Sequence, residues 1–326
     1  MLLNDGNCTL YYRLFLEQCS PQVVDNRPLA LQLDHTEGSL PPRSQDTICL
    51  TACPHQRSQY CWKISYALLS HRDNKAGKRQ ELCRVFLMAV YPLLSILDVC
   101  PVGSAKGITR KHLWRLFSLD MLNSYLERDP TPQELTYELP TQHSTSQIPT
   151  VFTHLKLDFN FGAAPMEAPP SVVLLALKNR GVVSLDWAFL FPRDQQIDLE
   201  LWAQQAEFDA TELHQMRVQD NCVFSISPKA GSLSPGQEQV VELKYSHVFV
   251  GTDRLPVLFK VSHGREILLN FIGVTVKLEQ KYVHFTSTSH EFVPVPIGNT
   301  LPPRQIYELY NGGSVPVTYE IQTNIL

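Results

Sequence analysis

Cysteine and histidine are the side chains here whose spacing could hold a metal, and one group stands out. Cys49, Cys53, His55 and Cys61 lie close together, and three thiolates with one imidazole form a possible zinc ligand set. Their spacing of three, one and five intervening residues matches no established zinc template. The alternation Ile48, Leu50, Ala52 also assigns Cys49 and Cys53 to the outward side of a strand. No metal or other cofactor is therefore expected, with these four as the one candidate group. His154, His247, His263 and His284 stand singly at strand ends and in loops, as surface or hydrogen-bonded core histidines do. Gly77-Lys78 lacks the rest of a phosphate loop, and neither His-Glu-x-x-His nor Gly-x-Ser-x-Gly occurs. The chain is not expected to be an enzyme. A basic run, His71, Arg72, Lys75, Lys78 and Arg79, surrounds Asn74 and Gly77. It reads as a solvated hairpin tip, with docking of an acidic partner as the sharper alternative.

A different set of residues recurs. Asn4/Gly6 is followed by Tyr12, Asn179/Gly181 by Trp187 and Asn311/Gly313 by Tyr319, each aromatic at the same offset from its Asn. Around the aromatics the same parity stays apolar: Leu10, Tyr12, Leu14, then Leu185, Trp187, Phe189, then Val317, Tyr319, Ile321. Period two predicts a strand with one face in a core, and the preceding Asn and Gly mark a turn, since both tolerate positive φ. A second block, Gly38-Ser39-Leu40 against Gly231-Ser232-Leu233, follows in the first two copies. Beyond it come alternating strands, Ile48, Leu50, Ala52 against Val241, Leu243, Tyr245. The interval between motif and block is longer in copy two, which places an insertion at Asp194 to Asn221. Asp209-Ala210-Thr211-Glu212 within it is a helix start, and Leu199, Leu201 and Trp202 before it read as a cap on the sandwich or an exposed contact.

Composition sets the outer bounds. The chain has 326 residues, 44% hydrophobic and 18% charged, with net charge -4. That is enough apolar material for real cores and no basic domain for nucleic acid. The longest apolar run, Val85 to Leu97, is interrupted by Pro92 and Ser95. It falls short of the roughly 20 residues a membrane helix needs and reads as a core strand. Seven of the eight cysteines precede residue 101, and only Cys222 lies in copy two. A disulfide framework would recur between repeats, so reduced thiols in a cytosolic compartment are expected. The sequon Asn7-Cys8-Thr9 points the other way, but such triplets arise by chance.

Copy one begins at its turn and lacks the strands that Leu155 to Phe161 and Val172 to Leu177 supply to copy two. The expectation is that the chain is a piece of a longer protein or a short isoform. Residues 101–149 have another texture, a helix from about 111 to 128 and then a stretch with Pro130, Pro132, Pro140 and Pro149. Trp114, Phe117, Met121 and Tyr125 form one helical stripe, for packing on a flanking domain or for a partner's groove.

The order strand, Asn-x-Gly turn, aromatic strand, Gly-bearing turn, strand resembles the immunoglobulin-like sandwich of the ASH and major-sperm-protein family, with PapD-type domains beside it. Phe161-Gly162, Leu177-Lys178-Asn179-Arg180-Gly181, Phe224-Ser225-Ile226-Ser227-Pro228 and Gly231-Ser232-Leu233-Ser234-Pro235-Gly236 carry the match. Within that family the stretch from about 150 to 326 is similar to Hydin-like proteins with many such domains. The resemblance implies an all-β chain of tandem immunoglobulin-like sandwiches with one amphipathic linker helix. Residues 1–100 are then a partial domain without its first strands, 101–149 a linker, 150–277 a complete domain and 278–326 the start of a third. It further implies a non-catalytic scaffold in the axoneme of motile cilia and sperm flagella, in the central apparatus, serving spermatogenesis and sperm motility. The implied partners are other axonemal proteins in a complex, with neither nucleic acid nor a membrane span. The alternative is a receptor of the major-sperm-protein type, holding short acidic peptides on Lys178, Lys229, Lys244 and Lys260.

Overall fold

The computed structural model describes residues 1–22, 30–69, 77–136, 155–195, 209–285 and 292–322. The chain divides into two compact units, Met1–Tyr91 and Pro92–Leu326. His71, Arg72, Asn74, Lys75, Pro140, Pro149, His154, Leu199, Leu201 and Trp202 lie outside the described residues.

In the first unit the strands are β1 (Leu2–Leu3), β2 (Leu10–Ser20), β3 (Leu31–Leu33), β4 (Glu37–Leu40), β5 (Gln45–Asp46), β6 (Leu50–Ala52), β7 (Ser58–Leu69) and β8 (Gln80–Ala89). They form a four-stranded sheet in the order β4-β2-β7-β8 and two small pairs, β3-β6 and β1-β5. Alternation in β2 turns Tyr12 and Leu14 inward onto Leu40 and Ile64. Further along, Tyr60 and Trp62 stack with ring centroids 5.2 Å apart, and the Trp62 indole N–H donates to Gln18 Oε1 at 3.0 Å. The inward parity expected of Ile48, Leu50 and Ala52 is not realised. Ile48 is half-buried, and Leu50 and Ala52 are exposed, because β6 pairs with the three-residue β3 and among the described residues no broad second sheet covers it. At the other edge β8 is ten residues long and carries Phe86 at 72% and Met88 at 56% exposure.

The second unit contains β9 (Leu94–Gly103), α1 (Arg110–Leu116), α2 (Leu119–Leu126), α3 (Pro132–Thr136), β10 (Lys156–Pro165), β11 (Ser171–Asn179), β12 (Leu185–Leu190), α4 (Pro192–Gln195), α5 (Ala210–Asp220), β13 (Phe224–Ser227), β14 (Ala230–Leu233), β15 (Glu238–Tyr245), β16 (Gly251–Val261), β17 (Glu266–Val276), β18 (Val283–Phe285) and β19 (Leu309–Asn311). Two sheets, β10-β17-β16-β12-β14 and β13-β15-β11-β9, make an immunoglobulin-like sandwich. Its core holds Phe159, Phe161, Leu175, Trp187, Phe189, Leu243, Tyr245, Phe259 and Phe271. β10 joins the first sheet parallel to β17. The helix start expected at Asp209 is a full capping box, with Glu212 N–H bonded to Asp209 and Asp209 N–H to Glu212.

Three expectations change here. The run Val85 to Leu97 is not one strand: β8 ends at Ala89, and β9 starts at Leu94 and pairs antiparallel with β11. Pro92 has no amide donor and interrupts the ladder between them, so β9 belongs to the second sandwich and not to copy one. The helix expected at about 111–128 is two helices, because Ser118 takes φ 48 between them. That left-handed residue resets the helical phase. Leu113, Leu116, Phe117, Leu119, Leu122 and Leu126 are therefore the buried face, while Met121 is exposed and Trp114 and Tyr125 are half-buried. The same contacts correct the linker assignment for these residues, since Phe117 packs on Phe159 and Phe161 at 4.8 and 5.1 Å between centroids. The 111–128 region is part of the second core.

In the third copy β18 and β19 pair antiparallel. Residues 312–322 form no strand, and Tyr319 is 66% exposed. The expected inward face of Val317, Tyr319 and Ile321 has no opposing strand among the described residues.

Candidate functional site

The recurrent asparagines are side chains tied to backbone. Asn4 Nδ2 donates to the carbonyls of Cys8 at 2.8 Å and Leu40 at 2.9 Å, and its Oδ1 accepts Gly6 N–H at 3.0 Å. Asn179 repeats the set, donating to Val183 O at 2.8 Å and Leu233 O at 2.9 Å and accepting from Gly181 N–H at 2.8 Å. Both are buried. Asn311 makes the local half, to Val315 O at 3.0 Å and from Gly313 N–H at 3.1 Å, and is exposed. Each Asn closes its own turn, and in the first two copies it also fastens the turn to the edge strand that bears Gly-Ser-Leu.

The aromatics sit in matching places. Tyr12 lies opposite Gly38 in the β2–β4 ladder and Trp187 opposite Gly231 in the β12–β14 ladder, with Leu10↔Leu40 and Leu185↔Leu233 in the same register. Tyr12 is 3% and Trp187 2% exposed. A Cβ at Gly38 would lie 2.7–3.0 Å from the Tyr12 phenol, and one at Gly231 would lie 3.0 Å from the Trp187 ring. Glycine is therefore required because the ring lies flat across the neighbouring strand.

Two polar clusters look like chemistry at first sight. In the first unit the Tyr12 hydroxyl donates to Asp46 Oδ2 at 2.6 Å, and His35 Nε2 lies 3.2 Å from both oxygens. His35 Nδ1 is 2.9 Å from Asp34. The bond from Tyr12, then that from His35, holds the Asp46 carboxyl below the usual carboxylate range, and burial with Asp46 beside it pushes the Tyr12 phenol up. A phenol harder to ionise stays protonated and is a poor acid, and the cluster anchors the ring. In the second unit His247 Nε2 lies 3.0 Å from Ser171 Oγ and 3.3 Å from Ser104 Oγ, and its Nδ1 lies 3.2 Å from Thr275 Oγ1. This has a nucleophile-and-base look, but Ser171 and His247 are buried and the imidazole faces a hydroxyl where an orienting carboxylate would stand. Burial pushes its pKa down to about 4. The carboxylate nearby, Asp253, accepts from Tyr245 instead, at 3.0 Å.

The four metal candidates are not gathered. Cys49 and Cys53 flank β6 and are exposed, Cys61 lies on β7, and among the described residues no three His, Cys, Asp or Glu side chains converge. Strand β6 pairs away from β7, which separates the ligands. All eight cysteines are free. Of the four lysines proposed to hold acidic peptides, Lys178 pairs with Glu238 at 2.8 Å and Lys229 with Asp194 at 3.0 Å. Lys260 pairs with Glu266 and donates to the Glu134 carbonyl. Three of the four are thus engaged within the fold.

Sequence reasoning passed over two fastenings. Asn123 on α2 donates to Ile96 O at 3.0 Å and accepts from Ile96 N–H at 2.8 Å, closing the outer edge of β9. A polar residue between buried Leu122 and Leu126 was the signal. Glu134 is nearly fully buried, ion-paired with Arg265 at 3.1 Å and accepting Glu266 N–H at 3.2 Å. It ties α3 to β17 beside a cavity of ≈ 680 Å³ lined by Leu135, Ala188, Ala230, Lys260 and His263. No sequence pattern marks that pairing.

The comparisons with known proteins cover the whole chain. Residues 92–273 match the "Cilia- and flagella-associated protein 65-like, Ig-like domain", residues 1–89 its "eight Ig-like domain" and residues 275–326 a further Ig-like domain of the same protein. The chain is 82% identical over 326 residues to human cilia- and flagella-associated protein 65, covering 100% of this chain and 17% of that protein. It is 70% identical over 330 residues to the mouse protein of that name, covering 100% of this chain and 18% of that one. The PapD-like domain 7 of human CEP192 is a solved structure 16% identical to it, covering 42% of this chain and 98% of that one with a TM-score of 0.27. On the family matches, the chain belongs to the cilia- and flagella-associated protein 65 family of Ig-like domains.

Proposed function

We propose that this chain is a non-catalytic structural segment of the axoneme in motile cilia and sperm flagella. Its immunoglobulin-like units serve as spacers and docking surfaces for other axonemal proteins, within the central apparatus, and so support flagellar assembly and sperm motility. The observation that carries this reading is how the recurrent polar side chains are used. Asn4, Asn179 and Asn311 each bind backbone of their own unit, so the motif that defines the repeat works to hold shape. The names of the human and mouse relatives support the ciliary setting. Cross-linking of isolated axonemes followed by mass spectrometry tests the proposal. Lysines of this segment are expected to link reproducibly to other axonemal proteins. Links confined to the segment's own polypeptide would contradict a scaffold.

A further inference from the structure

The β2–β7 ladder carries a pair of thiols that the structural reading so far leaves unused. Gln18 lies opposite Trp62 and Ser20 opposite Cys61, with the register slipping between them. Cys19 is thus the extra residue of a bulge beside Cys61. Ser20, which faces Cys61, has its Cα about 4.5–5.5 Å from it, and the bulge sets Cys19 next to that facing position, where the roughly 4.4–6.8 Å Cα span of a disulfide is to be met. Cys19 and Arg84 both lie close enough to Cys61 to shift its thiol, in opposite directions. Arg84 sits on β8 opposite Lys63, two residues from Cys61. Cys19 is exposed and Cys61 half-buried, so an oxidant in solvent reaches the pair.

We propose that Cys19 and Cys61 form an oxidation site in the first unit, a dithiol that a peroxide closes to a disulfide across β2 and β7. Cys19, the exposed partner, attacks first: its sulfur bonds to a peroxide oxygen, the O–O bond breaks and the departing oxygen leaves as water. The Cys61 sulfur then attacks the Cys19 sulfenic acid. The S–S bond forms, hydroxide leaves and takes up the Cys61 proton as a second water. Two thiols are oxidised and one peroxide is reduced, so the step balances. Burial, with Cys19 beside it, pushes the Cys61 thiol up while Arg84 opposes the shift, which is consistent with Cys61 resolving the sulfenic acid after Cys19 has been attacked. The second unit holds two cysteines, Cys100 on β9 and Cys222, and its aromatic strand β12 carries none, so the equivalent pair is absent there.

The test uses the intact chain, treated with about one equivalent of hydrogen peroxide, alkylated and digested with trypsin. The expected product joins the peptide Leu14–Arg43 to Ser58–Lys63, two hydrogens lighter than the pair and split by dithiothreitol. Cys61→Ser is expected to abolish the link and leave a Cys19 sulfenic acid that dimedone traps. Three outcomes would overturn the proposal: Cys19 and Cys61 both alkylated while Cys83 oxidises, Cys19 linked to a different cysteine, or the same link formed equally well in denaturant.

Discussion

Asn179 fastens three backbone groups of its repeat at once. Its carboxamide satisfies two carbonyls and one amide while buried, and a net bond is worth about 1 kcal/mol with a further cost for each group left unpaired. Asn179→Ala is expected to destabilise the second unit by about 3 kcal/mol or more, and Asn311→Ala, exposed and with one carbonyl fewer, by less than about 1 kcal/mol. Urea unfolding curves of the two variants check the contrast. His247 gives the pH dependence. Its pKa falls from 6.5 to about 4 on burial, so between those values the unfolded chain holds a proton that the native one refuses. Its contribution is complete above pH 6.5 and lost as pH drops toward 4, by up to about 3 kcal/mol. Asp253 offsets part of this, because burial raises its carboxyl pKa and the native state then holds the extra proton. Thermal unfolding between pH 7 and 4 is expected to show the loss, and His247→Gln to reduce it by the His247 share, since burial pushes His284 down to about 4 as well.

At the scale of elements the outer edge of β9 is the informative case. An open strand edge invites pairing with another chain, and Asn123 occupies the Ile96 amide and carbonyl instead. Asn123→Ala is expected to speed hydrogen exchange at Ile96 at least about tenfold, since it removes a bond worth roughly 1.4 kcal/mol of local protection. An unchanged rate would mean that helix packing alone covers the edge. The sequence made the strands legible wherever one face is buried and the other wet, as in β2, β11 and β12, because period two then maps onto burial. It made Asp209 legible because a capping box is local. It misled at Ser118, whose left-handed backbone leaves no mark in side-chain type, and at Leu50, whose parity was right for a second sheet that does not cover it. The Glu134–Arg265 pair joins residues far apart in sequence, and no periodicity reports such a contact.

At the scale of the molecule the chain is a succession of related units, and the match between Tyr12 over Gly38 and Trp187 over Gly231 is the strongest structural sign of it. That much was readable from two colinear motifs. The unit boundary was not, since β9 looks like the continuation of β8 until Pro92 is seen to break the ladder and β11 to take β9 as its partner. The zinc candidate shows the converse limit: four ligand residues close in sequence do not make a site when their side chains do not converge. The central claim is that these units act by being held in the axoneme. The most direct measurement is detergent extraction of motile cilia that express the full-length protein, tagged, with this segment intact or deleted. Retention of the intact form with the microtubule fraction, and a marked loss of retention on deletion, is the predicted result. Release of the intact protein into the detergent-soluble fraction would contradict the account.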